Sequence, residues 1–187
     1  NSSIYPTSGG VQRAGVEVAI PGVDLTFYRL TYKNEHYFPL TKDLVLMLMG
    51  ELGYANGLQG QSLPFYKNFY AGGIGSVRGY QTASLGPVDP LYPDTYLGGT
   101  SKAVFNAELL MALPGFDKSV RLGPFFDAGN VFSDNYTIGK EGLAMSVGLT
   151  AAWISPLGPL KFSYGQPINE KSNAKLQKFQ FQMGTTF

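Results

Sequence analysis

Hydrophobic and polar residues alternate one by one along most of the chain, and no segment shows a convincing helical period. Such alternation gives a β-strand one apolar face and one polar face. Near the start, Ala14, Val16 and Val18 alternate with Arg13 and Glu17. The same pattern occurs in eight segments, 11–20, 25–37, 44–54, 103–113, 120–132, 145–155, 160–167 and 178–187.

The predicted strands are about ten residues long, which is the length that a tilted strand needs to cross a bilayer. The connections at 38–43, 114–119 and 155–160 are short and rich in Pro and Gly. Those at the opposite ends are mostly longer, apart from the short 21–24. Because only a closed sheet satisfies all backbone groups in lipid, the pattern predicts an all-β, antiparallel transmembrane β-barrel. We expect residues 1–187 to form one domain with a long extracellular loop at 55–101.

The composition favours a membrane protein over a soluble one. Only 14% of residues are charged, whereas 14% are aromatic, and an ordinary soluble domain has about 25% charged residues. A soluble β-sandwich would alternate in the same way and is kept as an alternative, although its polar strand faces would need solvent or partners. Aromatic residues at strand ends suit the two membrane interfaces. They are Tyr28, Tyr54, Phe132, Trp153, Tyr164 and Phe187.

Several kinds of function find little support in the sequence. A net charge of +1 argues against nucleic-acid binding. The chain has no cysteine, which excludes a zinc–thiolate site, and its only histidine is His36. The glycines at 72–79 lack the Lys-Ser/Thr ending of a phosphate-binding loop. We therefore expect no enzymatic activity, no cofactor and no metal.

The stretch "GGIGSVRGYQ", residues 72–81, places one arginine in a glycine-rich and otherwise uncharged part of the long loop. An eight-stranded barrel has an interior that is just wide enough for its own side chains. Two arrangements therefore stay open. Either the loop remains outside a barrel of eight strands, or it folds into a larger barrel of which this chain supplies only part.

Four motifs resemble the BamA family of outer-membrane protein assembly factors. They are "PFYKNFYAGGIGSVRGYQ" (64–81), "FFDAGNVF" (125–132), "SPLGPLKFSYGQP" (155–167) and "FQFQMGTTF" (179–187). The similarity runs in order over residues 9–187 and matches the C-terminal half of the family's barrel. It implies a sixteen-stranded barrel whose last eight strands are present, preceded in the intact protein by periplasmic POTRA repeats that this chain lacks.

The resemblance also implies a function and a set of partners. The family folds and inserts β-barrel proteins into the bacterial outer membrane without ATP. The partners would be outer-membrane lipid, unfolded outer-membrane protein clients and accessory assembly lipoproteins, the last mainly through the absent POTRA repeats. A two-partner secretion pore of the same superfamily and a passive barrel are the alternatives. The missing upstream sequence would distinguish them, with five POTRA repeats expected for the insertase and two for the secretion pore.

The family's loop motif carries over to Val77, Arg78, Gly79 and Tyr80. The loop is expected to fold back into the lumen, where the resemblance gives Arg78 two carboxylate partners, Glu108 and Asp127. The alternation independently places both carboxylates on polar faces of adjacent strands. Because a guanidinium can bind carboxylates through two parallel hydrogen bonds, the three side chains would hold the loop tip in place. Replacing Arg78 or Asp127 by alanine should loosen the loop and impair assembly.

The last strand carries a further expected recognition element. Aromatic and apolar residues at alternating positions form a β-signal, comprising Phe179, Phe181, Met183 and Phe187. Any C-terminal strand of an outer-membrane barrel would look similar. In the family this strand also pairs weakly with the first strand of the barrel, and Gly184 is a predicted weak point of that lateral seam.

Overall fold

The computed structural model describes residues 6–19, 26–116, 119–133, 142–156, 158–169, 171 and 173–184. Apart from one short 3-10 helix, Phe65–Lys67, its regular elements are strands. The strands are β1 Gly9–Val18, β2 Phe27–Pro39, β3 Leu44–Gly57, β4 Gly79–Tyr80, β5 Ser101–Ala112, β6 Val120–Phe132, β7 Ala144–Ser155, β8 Gly158–Pro167, β9 Leu176–Gln177 and β10 Phe179–Met183. Within these ranges, no helix has the length and the hydropathy that crossing a membrane requires.

Eight strands form one antiparallel sheet in the order β1-β2-β3-β5-β6-β7-β8-β10. The predicted all-β class and the eight strands are confirmed. Across the described residues, no backbone pairing joins β1 to β10, so the sheet is open along two edges. The segment 58–100 leaves the sheet after β3 and returns to the neighbouring strand, β5. Its ends differ from the predicted 55–101 because β3 continues to Gly57, which pairs with Phe27.

The sheet exposes its apolar face and buries its polar face. Val16 is 73% exposed and Leu149 is 64% exposed, whereas Glu108 is 1% exposed and Asp127 is fully buried. A soluble β-sandwich has the opposite arrangement, with apolar faces packed together and polar faces in water. The observed arrangement is that of a membrane sheet whose outer side faces lipid, and it disfavours the sandwich alternative. We call this eight-stranded sheet the wall.

The segment 58–100 packs against the polar face of the sheet. Its side chains Phe69, Val77, Tyr80 and Leu85 are at most 4% exposed. They form an apolar cluster with residues of the wall such as Val104. Isolated β-bridges within the segment give it internal order, for example between the residue pairs 69/99 and 71/85. The long loop and the sheet therefore build the main apolar core together, while a smaller cluster of Tyr37, Val45 and Leu110 lies within the sheet itself.

Three of the six aromatic residues predicted for strand ends are exposed, while Tyr28 is half-buried and Phe187 lies outside the described residues. Tyr54, Trp153 and Tyr164 are 43–54% exposed, and the rings of Tyr28 and Tyr54 lie 6.0 Å apart. Phe132 is only 2% exposed. Its strand end is covered by the end of the long segment, where the Thr100 hydroxyl donates to the Phe132 carbonyl at 3.4 Å.

Candidate functional site

The glycine-rich stretch folds into a tight turn that aims Arg78 at the wall. Gly72 and Gly73 have φ values of +107° and +98°, which only glycine adopts readily. The turn is closed by two backbone hydrogen bonds, from Gly73 N–H to the Val77 carbonyl at 3.1 Å and from Ser76 N–H to the Gly73 carbonyl at 3.0 Å. The chain then enters β4 with the Arg78 side chain facing β5 and β6.

Arg78 binds both predicted carboxylates. Its Nε and Nη2 donate to the two oxygens of Asp127, each at 2.7 Å, and its backbone N–H donates to Asp127 Oδ2 at 2.9 Å. Its Nη1 donates to Glu108 Oε2 at 2.5 Å. The side chain of Arg78 is 2% exposed, and those of the two acids are 0% and 1% exposed. The structure therefore brings Arg78, Glu108 and Asp127 together, while their role as a loop latch stays a prediction.

Three further side chains complete this cluster, and the sequence did not single them out. Asn106 donates to Asp127 Oδ1 at 2.7 Å and to the Ser76 carbonyl at 2.6 Å. Phe125 lies under the guanidinium, with Arg78 Cζ 3.6 Å from the ring centroid. Lys161 Nζ lies 3.3 Å from Glu108 Oε2. The alternation had put Asn106 and Lys161 on polar faces, but nothing in the sequence indicated which polar residues would meet.

The loop tip touches the wall at β8 through two glycines. Gly79 has a φ of +89°, and a Cβ added to it would lie 3.0 Å from the carbonyl oxygen of Gly165. A Cβ added to Gly165 would lie 2.7 Å from the Gly79 nitrogen. Val77 and Tyr80, on either side of the Arg-Gly pair, are both fully buried. Close backbone contact therefore explains why glycine is needed at position 79.

The same loop tip is hydrogen-bonded to the chain just before the last strand. β4 pairs with β9 in a two-stranded antiparallel sheet, and Gln81 N–H donates to the Lys175 carbonyl at 2.8 Å. From β10, Gln180 Nε2 donates to the Tyr80 carbonyl at 2.8 Å. Tyr80 in turn donates its hydroxyl to the Asn169 carbonyl at 3.0 Å. We call this set of contacts between residues 79–81 and 169–180 the clasp.

An exposed ion pair links the long segment to Lys175, next to the clasp. Asp94, in the long segment, accepts from Lys175 Nζ at 2.8 Å. The hydrogen bond from Lys175, together with its charge, holds the pKa of Asp94 below its ordinary value. Because the pair is solvated, it contributes little to stability and adds mainly to the alignment of the two segments.

The predicted β-signal residues that the structure describes lie on the outer face of β10. Phe179, Phe181 and Met183 are 51–61% exposed, and β10 pairs with β8 from Phe179↔Tyr164 to Met183↔Leu160. Phe187 lies outside the described residues. Their role in recognition stays a prediction.

Gly184, the proposed weak point of the seam, directly follows β10. It has a φ of +80°, and its N–H donates to the Pro159 carbonyl at 3.0 Å. The strand thus ends in a turn that bonds back to β8. In the described part of the chain β1 lies at the far edge of the sheet, so the seam itself stays a prediction.

Replacing Gln180 by leucine should loosen the clasp without unfolding the wall. The change leaves the buried Tyr80 carbonyl without its Gln180 donor, which costs about 1–3 kcal/mol. Hydrogen exchange of the peptides covering 79–81 and 174–178 should become faster, while exchange in β5 and β6 stays unchanged. Gln177→Leu, at an exposed position nearby, is the matched control. Equal exchange in the two variants would show that the Gln180 side chain does not hold the loop tip.

Metal binding has no support in the described residues, which contain no group of three His, Cys, Asp or Glu side chains placed to hold an ion. The His36 ring packs 4.3 Å from the Phe38 ring. Asp89 accepts backbone N–H groups from Leu91 and Tyr92 at 2.8 and 3.3 Å, as a turn residue does. The contacts observed at the Arg78 site are hydrogen bonds, ion pairs and a cation–π contact.

Comparison with known proteins supports the resemblance found in the motifs. The chain is 39% identical over 216 residues to the outer membrane protein assembly factor BamA of Neisseria meningitidis, covering 100% of this chain and 27% of that protein. It is 36% identical over 128 residues to BamA of Nitratidesulfovibrio vulgaris, covering 67% of this chain and 16% of that protein. The chain thus spans about a quarter or less of the length of these relatives. Their outer-membrane location agrees with the location predicted for this chain.

The fold and the family model lead to the same conclusion. The crystal structure of BamA from Haemophilus ducreyi lacking POTRA domains 1–3 superposes with a TM-score of 0.85 at 28% sequence identity, covering 95% of this chain and 38% of the other. A model of the Omp85 superfamily domain matches residues 1–187. The chain is a bacterial outer-membrane β-strand wall and belongs to the Omp85 superfamily.

Proposed function

We propose that this chain is the C-terminal part of the barrel of an insertase that folds β-barrel proteins into the bacterial outer membrane. The observation that supports this most is the buried cluster in which Arg78 of the long loop is hydrogen-bonded to Glu108 and Asp127 of the sheet. A passive barrel gives no reason for burying three charges around a loop tip, since buried ions are costly unless they are closely paired. The relatives named as assembly factors support the same proposal.

The loop would act as a fixed internal support for the last strands of the wall. The bonds of Arg78 to Glu108 and Asp127 attach the loop to β5 and β6. The clasp attaches it to the chain around β9 and β10. β10 pairs over only five residues with β8, and the other edge of β10 carries backbone groups that an added strand could bind. In this proposal a client strand adds to that edge while the loop keeps the adjoining hairpin in position.

The activity requires neither a cofactor nor a catalytic group, since strand addition proceeds by hydrogen bonding and burial in lipid. The partners are unfolded outer-membrane proteins, outer-membrane lipid and accessory assembly lipoproteins, with no role for nucleic acid. All of them belong to the full-length protein, because the chain spans about a quarter or less of its curated relatives. The secretion pore and the passive barrel have less support, as neither corresponds to the named relatives.

Depletion of the full-length protein that carries this chain tests the proposal. Cells that lose it should accumulate unfolded porins in the periplasm, measured as loss of the heat-modifiable folded band, within a few generations. Re-expression of the wild-type gene should restore that band. Normal porin folding in depleted cells, with failure to export one particular secreted protein, would instead identify a secretion pore.

A further inference from the structure

A lysine on β8 completes the charge balance of the buried cluster. Arg78 brings one positive charge to two carboxylates, Glu108 and Asp127, that are both fully or almost fully buried. Lys161 Nζ lies 3.3 Å from the same Glu108 oxygen that accepts from Arg78, and its side chain is only 14% exposed. An excess negative charge among buried groups is costly. We propose that Lys161 is a positioning residue, which supplies the second positive charge and thereby keeps Glu108 ionised and bound to Arg78.

The position of Lys161 in the sheet gives this contact a geometric role. Glu108 is on β5 and Lys161 is on β8, so the ion pair reaches across the polar side of β6 and β7. In the register, Lys161 lies opposite Ala152 of β7, a residue that is small and buried. Arg78, Glu108, Ala152 and Lys161 line one interior cavity of about 170 Å³. The small side chain leaves the space through which the lysine reaches the cluster.

Other charged side chains share this polar face. Arg121 is 5% exposed and lies in the same cross-strand row as Ala152 and Lys161. Lys33 and Glu35, which line the same cavity, lie 3.9 Å from each other. Asp127 is already bound by Arg78 through three hydrogen bonds and by Asn106 through one. Glu108 accepts from Arg78 and Lys161 through one oxygen, whereas its other oxygen has no hydrogen-bond partner within the described residues. Glu108 is therefore the carboxylate that depends on Lys161.

The inference concerns the attachment of the loop, so its test does not depend on insertase activity. The measurement is hydrogen exchange of the peptide covering residues 72–85 in the purified full-length protein, folded in detergent. In Lys161→Met this peptide should exchange roughly tenfold faster, because one carboxylate loses a partly buried cation. Lys161→Arg should keep most of the protection. The matched control is Lys42→Met, which makes the same change in an exposed turn.

The double variant Lys161→Met/Glu108→Gln separates charge balance from simple packing. If the lysine balances Glu108, removing both charges should restore most of the protection that Lys161→Met loses. The proposal is overturned if Lys161→Met exchanges no faster than Lys42→Met. It is also overturned if the double variant exchanges as fast as Lys161→Met or faster. If Lys161→Met does not fold, a folded double variant supports the charge balance and an unfolded one contradicts it. Normal porin assembly in a variant with a loosened loop would count against the proposed function alone.

Discussion

Replacing Asp127 by asparagine is expected to detach the long loop from the wall and to abolish most of the assembly activity of the full-length protein. Asp127 accepts three hydrogen bonds from Arg78, which is 2% exposed. The neutral amide keeps the size of the side chain but presents an N–H₂ group to a buried guanidinium. Breaking one side of a buried ion pair costs about 3–5 kcal/mol, because the remaining charge is left uncompensated. The alanine variant should be at least as impaired.

Two measurements check this expectation. Protease cleavage within residues 58–100 should become fast in Asp127→Asn, and folded porin should fall to the level of depleted cells. Asp89→Asn is the matched control, since it makes the same change in a turn of the cleaved segment 58–100 and its acceptor oxygen can still bind Leu91 N–H. A protected loop in Asp127→Asn would mean that burial, and not charge pairing, holds the tip.

The second large effect is expected at Gly79, where alanine should move the loop tip away from β8. The residue has a φ of +89°, and the added Cβ would lie 3.0 Å from the Gly165 carbonyl oxygen. A left-handed conformation costs a non-glycine residue about 1–2 kcal/mol, and the contact with backbone adds to it because neither side can rotate away. We expect the exchange protection of the clasp to fall at least about tenfold, together with a comparable loss of assembly.

Gly60→Ala separates backbone strain from crowding. Gly60 lies in the same segment with a φ of +79°, yet a Cβ there would meet nothing within 4 Å. Both variants carry the strain of a positive φ, and only Gly79→Ala also brings a Cβ into close contact with β8. If the two variants exchange alike at residues 79–81 and 174–178, close contact with Gly165 is not what positions the tip.

The wall could be predicted from sequence because its physical cause is local. A strand with lipid on one side and polar groups on the other must alternate, and Leu149 and Thr150 show this directly as neighbours on opposite faces. Short turns make antiparallel neighbours of three strand pairs, β2 and β3, β5 and β6, and β7 and β8. Alternation also places Glu108 and Asp127 on polar faces of adjacent strands. This prediction needs only the order of the strands and whether each residue falls on the odd or the even positions of its strand.

The clasp and the inner part of the cluster could not be predicted in this way. Whether Gln180 or Gln182 bonds the loop depends on how residues 58–100 cross the wall, which is a long-range property with no periodic signal. Lys161, which lies beside the small and buried Ala152, reaches Glu108 across two strands. Such contacts are decided by the three-dimensional path of an irregular segment. The pairing of Arg78 with its carboxylates was expected from resemblance to a family, and composition alone did not predict it.

The short ladder between β8 and β10 sets a limit on strand exchange at this edge. An invading strand that competes for β8 would displace β10 one residue pair at a time from Met183 towards Phe179, much as one nucleic-acid strand displaces another by branch migration. Because hydrogen-bonded and non-hydrogen-bonded pairs alternate in an antiparallel ladder, the backbone hydrogen bonds would break in steps of two residues. The pairing with β8 continues one residue beyond Phe179, because Gly165 N–H donates to the Lys178 carbonyl at 2.8 Å, and the next residue, Gln177, pairs with Gly79 instead. Displacement past Gln180 would break its hydrogen bond to the Tyr80 carbonyl, whereas the pairing of β4 with β9 lies beyond the exchanged residues. Strand exchange would thus remove one contact of the clasp and leave its backbone pairing in place.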